Sequence, residues 1–253
     1  MTHGAIGHLD VAQVVLYAFW FFFAGLIWYL RQEDRREGYP LESEVDGVGQ
    51  RGFLFIPDPK TFLLDDGTKI LAPTYVGDTR PVNATKVEPW PGAPFEPTGN
   101  PLLAGVGPGS WAERPDVPYQ TADGHDLIAP LRVATNYGVA FEGPNPLGFT
   151  VVGADRKAAG VIKDLWVDRA ESILRYYEIA LDAGGSVLAP VYFVDVENKA
   201  RIVRINALTS DQFAQIPALK NPDRVTLLEE EKISAYYGAG TLYATPDRAE
   251  AFI

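Results

Sequence analysis

Apolar residues form one unbroken block near the start of the chain, and only much later do they alternate with polar ones. The block, VAQVVLYAFWFFFAGLIWYL at residues 11–30, contains twenty residues and no charge. At 1.5 Å rise per residue it makes a helix about 30 Å long, the thickness of a bilayer's hydrocarbon core. The pattern therefore predicts a single transmembrane helix over residues 11–31. Residues 1–10 carry no Lys or Arg, unlike the basic start of a cleaved signal peptide, so the helix is read as retained. Arg31, Arg35 and Arg36 follow it directly. By the positive-inside rule, residues 1–10 form a tail on the outer side and the bulk of the chain is cytoplasmic. Within the block, Trp28 and Tyr29 suit the headgroup belt, and Ala24 and Gly25 would let another helix approach closely.

Past the block the period is lost. Fourteen of the twenty prolines lie between Pro40 and Pro130, where they forbid long helices and interrupt strands. Residues 32–130 read as a mostly extended segment. Phe53, Phe55, Phe62, Trp90, Phe95 and Trp111 make it too aromatic for disorder, so the expectation is that it lies on partner subunits whose surface orders it.

From Phe149 short apolar runs alternate with turn signals. Strands are predicted at residues 149–152, 161–167, 175–181, 187–194 and 201–205, which suggests a small antiparallel barrel within a domain over residues 131–253. Closure of such a barrel would remove its exposed edges. Asp223 ahead of residues 225–237 reads as a helix, with Leu227, Leu228, Ile233 and Tyr236 at helical spacing and Gly238 as its stop. The Glu229, Glu230 and Glu231 run reads as a solvated face. The fold class is a single transmembrane α-helix plus a mainly β cytoplasmic domain with a C-terminal helix.

A net charge of −11 argues against a nucleic-acid partner, since phosphate binding needs clustered Lys and Arg. With no cysteine, thiolate catalysis and Cys-ligated metals are excluded. No phosphate loop, dinucleotide fingerprint, HExxH helix or GxSxG elbow occurs. His125 is the one histidine beyond the apolar block; a Ser-His-Asp triad could use it, but nothing else marks a nucleophile. The remaining candidate chemistry is the set Asp164, Asp168 and Glu171 beside Arg169 and Arg175. It reads either as a surface ion-pair cluster or as a relay passing protons through bound water.

Several segments resemble the H subunit of purple-bacterial photosynthetic reaction centres: YAFWFFFAGLIWYL at residues 17–30, REGYPLE at 36–42, GVGPGSW at 105–111, KDLWVDRAE at 163–171 and TLLEEEKISAYYGAGTLYATP at 226–246. Their order and spacing together are specific, and the resemblance runs through nearly the whole chain. It implies a PRC-barrel cytoplasmic domain and one helix beside the L and M subunits, with a cytochrome subunit and a light-harvesting antenna ring as further candidate neighbours. It implies a non-catalytic subunit of the intracytoplasmic photosynthetic membrane that stabilises the secondary quinone site and supports proton delivery during reduction of quinone to quinol. Bacteriochlorophyll, bacteriopheophytin, quinones and non-haem iron would be held by L and M, and none by this chain.

Position by position, the resemblance implies proton-transfer roles for Glu171, Asp168 and Arg175. Asp123 and His125 occupy the stretch where some relatives carry a surface histidine pair that accepts protons and binds inhibitory zinc. That pair is not present here, and no metal site is expected. Arg224 stands at a position acidic in some members, which implies a different detailed proton route. Arg31, Arg35, Arg36 and Tyr39 would meet lipid headgroups. From the barrel pattern alone, a membrane-tethered PRC-barrel adaptor without a photosynthetic role is the alternative.

Overall fold

The apolar block folds as its pattern predicts, into helix α1 (Val11–Glu33, 23 residues). An 18-residue window within it reaches a mean hydropathy of 1.9, long and apolar enough to cross a membrane. No residue of α1 is buried against the rest of the chain. The computed structural model describes residues 11–39, 41–42, 49–50, 55–74 and 78–248; the predicted tail at 1–10, and Phe53 with it, lie outside the described residues. Two compact units divide the chain, one reaching Arg80 and including Trp90–Gly92, the other comprising Pro81–Pro89 and everything from Ala93 onward.

In the first unit α1 passes into a 3-10 turn (Asp34–Arg36). Glu33 accepts two hydrogen bonds from Arg36, at 2.8 and 3.1 Å, and pairs with Lys60 at 2.7 Å. The proline-rich stretch that follows is less irregular than expected. Strands β1 (Leu41–Glu42) and β2 (Gly49–Gln50) pair antiparallel, as do β3 (Lys60–Leu63) and β4 (Lys69–Ala72). The β3–β4 turn has a local cause: Asp66 accepts from the Thr68 amide at 2.8 Å, and Gly67 takes φ +82°, which only glycine adopts without strain.

The second unit contains a further hairpin, β5 (Ala84–Lys86) with β6 (Phe95–Pro97), and a seven-stranded sheet. Its strands are β7 (Ile128–Pro130), β8 (Thr150–Val152), β9 (Ala158–Asp168), β10 (Ile173–Leu181), β11 (Ser186–Pro190), β12 (Asp195–Glu197) and β13 (Ile202–Arg204). Each predicted run contains a strand, with shifted ends; the 187–194 run breaks at Pro190, after which a 3-10 turn (Val191–Phe193) follows. The order is β11-β10-β9-β8-β13-β12, with β7 also on β9. One pair departs from the antiparallel expectation: β13 runs parallel to β8. A parallel neighbour needs a long crossover, and the intervening strands supply it. Hydrogen bonding among the described strands follows an open path, so the expected barrel closure is not seen.

Helix α2 spans Leu227–Tyr243 and corrects the sequence reading at both ends. Thr226, not Asp223, caps it: Thr226 Oγ1 accepts from the Glu229 amide at 3.1 Å while Glu229 accepts from the Thr226 amide at 2.9 Å, a reciprocal capping box. Gly238 does not end the helix. A side chain there would stand 2.5 Å from the Pro108 carbonyl oxygen, and one at Gly240 would stand 2.3 Å from that of Ala207, so both glycines permit close packing. Part of the proline-rich segment is thus ordered by the chain's own helix, with Gly109 against Ala239. Ile233, Tyr236 and Tyr237 of α2 join Ile162, Trp166, Ile179 and Leu188 of the sheet in one buried core.

Candidate functional site

Strand β9 ends at Asp168, and a four-residue turn returns the chain into β10. The turn is built by Asp168, which is buried. Its Oδ1 accepts from the Ala170 and Glu171 amides at 3.0 and 3.1 Å, and the Ser172 amide bonds its carbonyl at 2.8 Å. An Asp whose side chain caps its own turn is a common local solution. Its other oxygen, Oδ2, lies 3.8 Å from Nε of Arg175. Glu171 sits at the tip with its side chain exposed. Asp168, Glu171 and Arg175 are therefore brought together, and Asp168 has a structural task as well as a charge to offer.

Asp164 does not join them. It faces Glu178 directly across β9 and β10, where two like charges would repel, and Arg132 bridges the pair. Its Nη1 reaches Asp164 Oδ2 at 2.8 Å and bonds Glu178 Oε2, while Nε bonds Asp223 at 2.7 Å. Lys163 Nζ donates to Glu178 Oε1 at 2.8 Å and Trp166 Nε1 to Oε2 at 3.1 Å. Burial alone would raise the Glu178 carboxyl, but the hydrogen bonds from Lys163, Arg132 and Trp166 outweigh it and hold the group below the usual Glu value. This network is a satisfied structural lock.

His125 and Asp123 occupy an exposed turn. The Thr121 amide donates to the His125 carbonyl at 2.8 Å, and the His125 amide to Thr121 Oγ1 at 3.2 Å, both through the His125 backbone. Three residues on, Ile128 pairs with Asp168 in the sheet, so the turn leads to the strand beside the acidic cluster. Arg224 is held by Asp126 at 2.7 Å. Among the described residues no group of three or more His, Asp or Glu side chains converges as a metal site. Of the lipid-contact candidates, Arg31 is exposed and pairs with Asp34 at 3.4 Å, Arg36 is tied to Glu33, and Arg35 is buried with its guanidinium 4.6 Å above the Tyr39 ring.

The three glutamates expected on a solvated face are instead all engaged. Glu229 belongs to the capping box and accepts from the Lys220 amide at 2.8 Å. Glu231 meets the Ala112 amide at 3.3 Å and Arg114 at 3.4 Å. Glu230 turns into a cavity of ≈ 490 Å³ that Arg175 also lines, and accepts a 2.7 Å hydrogen bond from the Tyr176 hydroxyl. The overlooked signal is helical register: Glu230 lies three residues from both Leu227 and Ile233, inside the apolar stripe.

The family model described as photosynthetic reaction centre, H-chain N-terminal region matches residues 4–133, and that of the PRC-barrel domain matches residues 138–212.

Proposed function

The chain belongs to the photosynthetic reaction centre H-chain family, and from that membership we propose that it steadies the secondary quinone site and supports proton delivery, without catalysing a reaction itself. In this reading α1 crosses the photosynthetic membrane beside the L and M subunits, with its leading end periplasmic. L and M hold the bacteriochlorophylls, bacteriopheophytins, quinones and iron, and reduction of a quinone to its quinol consumes two protons that must come from the cytoplasmic side.

The juxtaposition of Asp168, Arg175 and Glu171 carries the proposal. Buried Asp168 is fixed by two backbone amides, Arg175 stands 3.8 Å away, and the exposed Glu171 carboxyl projects from the same turn. The exposed acid at the tip meets solvent directly, and the fixed acid behind it adds negative charge that favours protons along the same turn. The match over residues 4–133 favours this reading over a bare PRC-barrel adaptor, which would need only the 138–212 domain.

Glu171→Gln in the assembled complex tests it. Its exposed side chain makes the folding effect small, within about 0.5 kcal/mol. The proton-coupled second electron transfer to the secondary quinone should slow while primary charge separation stays unchanged. Because the substitution also removes a charge near the quinone, charge-recombination kinetics must be followed in parallel, and Glu171→Asp should restore the rate. Second-transfer kinetics unaltered at every pH would remove Glu171 from the path.

A further inference from the structure

Between β10 and the start of α2 lies the cavity of ≈ 490 Å³ whose lining includes Arg114, Arg175, Tyr176, Tyr192, Glu230 and Ser234. It opens to solvent past the exposed Tyr119 and Tyr192, is roomy enough for several waters, and is rich in polar groups that can bind them. Its walls carry both signs of charge. Glu230 accepts a hydrogen bond from the Tyr176 hydroxyl at 2.7 Å, Arg175 Nη1 lies 3.4 Å from the Tyr192 hydroxyl, and Arg175 Nε lies 3.8 Å from Asp168. One guanidinium therefore stands between the cavity and the buried aspartate. Neither the Asp168 turn nor the α2 cap requires Glu230.

We infer that Glu230 is a proton-exchange site of this chain, loaded from cavity water and coupled through Arg175 to the charge on Asp168. Its role as a supply to Asp168 and Glu171 rests on the proton-delivery function proposed above. Loading adds a solvent proton to the Glu230 carboxylate; unloading returns it to cavity water and leaves the carboxylate facing Arg114 and Arg175. The charges around it set the direction. Burial raises the Glu230 carboxyl most, Tyr176, Arg175 and Arg114 lower it, Asp168 raises it, and the net effect is upward. Glu231 on the same helix also lines the cavity, where it is paired with Arg114.

Infrared titration of the protonated-carboxyl stretch in the intact complex tests the site. A band that titrates above the ordinary glutamate range should vanish in Glu230→Gln, which keeps an acceptor for Tyr176. Its midpoint should rise in Tyr176→Phe, where the carboxylate loses a hydrogen bond. It should fall in Asp168→Asn, which removes a negative charge while keeping the acceptor that holds the turn. A band indifferent to Glu230→Gln, or a midpoint unmoved by Asp168→Asn, would overturn the inference. Loss of the band with the two opposite shifts establishes the site whatever the Glu171→Gln kinetics show, because those kinetics bear on the proposed function alone.

Discussion

The two units of this chain handle apolar surface in opposite ways. In the second, Ile233, Tyr237, Ile179 and Trp166 are each at 0% exposure, and the sheet and α2 close over them. In the first, Phe21 is 85% exposed, Trp20 and Phe22 more than half, and the β3–β4 hairpin leaves Phe62, Leu63, Ile70 and Leu71 open. Contiguous exposed apolar surface on that scale marks a membrane or partner contact. The second unit builds a core of its own, although Phe141, Leu103 and Tyr192 stay exposed on it; the first buries no large apolar side chain among its described residues and is written for surroundings that other molecules supply. That division is what a reaction-centre subunit with one membrane helix needs.

The contrast can be broken most severely in α1. An arginine near the centre of a membrane helix costs about 2.5–3.5 kcal/mol, so Phe21→Arg with Phe22→Arg should cost about 5–7 kcal/mol of insertion. Fractionation should then find the chain outside the membrane, while the second unit keeps its fold by circular dichroism.

Next in size is the Arg132 lock. Glu178→Ala should destabilise the second unit by about 3 kcal/mol, the low end for breaking a buried pair, since Arg132 and Lys163 both reach solvent. The pH dependence has a definite sign. The folded Glu178 carboxyl titrates below its ordinary value of 4.5, so its contribution is complete above 4.5 and fades as pH falls through the lowered value. The gap between wild type and variant, read by thermal unfolding of the full chain in detergent, should therefore narrow in acid.

Glycine substitutions sharpen the comparison at the smallest scale. Gly240→Ala gains about 1 kcal/mol in helix propensity but forces a methyl to 2.3 Å from a backbone oxygen and 2.6 Å from Leu208. Overpacking costs about 1–3 kcal/mol, so a net loss of about 0–2 kcal/mol is expected in the same unfolding assay. Gly25→Ala meets nothing within 4 Å in this chain and should leave its own stability unchanged. A lowered yield of assembled complex from that variant would locate a partner helix at Gly25.

The elements were legible where periodicity is local. Helix α1, the β8–β11 runs and α2 follow from spacing alone, whereas the β3–β4 hairpin was missed within the segment read as extended, although Asp66-Gly67 is a hairpin signal. Parallel pairing of β8 with β13 was not legible, because it depends on a crossover of some fifty residues. Gly238 misled because a glycine that permits close packing looks the same in sequence as one that stops a helix. At the site, Asp168, Glu171 and Arg175 sit close together in sequence on one hairpin, so their meeting could be anticipated. Glu230 reaches the same neighbourhood from α2, and only the tertiary fold brings Tyr176 and Glu230 within 2.7 Å.

The most direct measurement is the near-infrared absorption of the full chain purified from its native membranes in mild detergent. A chain whose exposed α1 is covered by pigment-bearing subunits should elute with bacteriochlorophyll absorption in constant proportion through successive columns. Its recovery as a colourless single-pass protein, with α1 surrounded only by lipid or detergent, would contradict that cover and the proton-delivery role proposed with it.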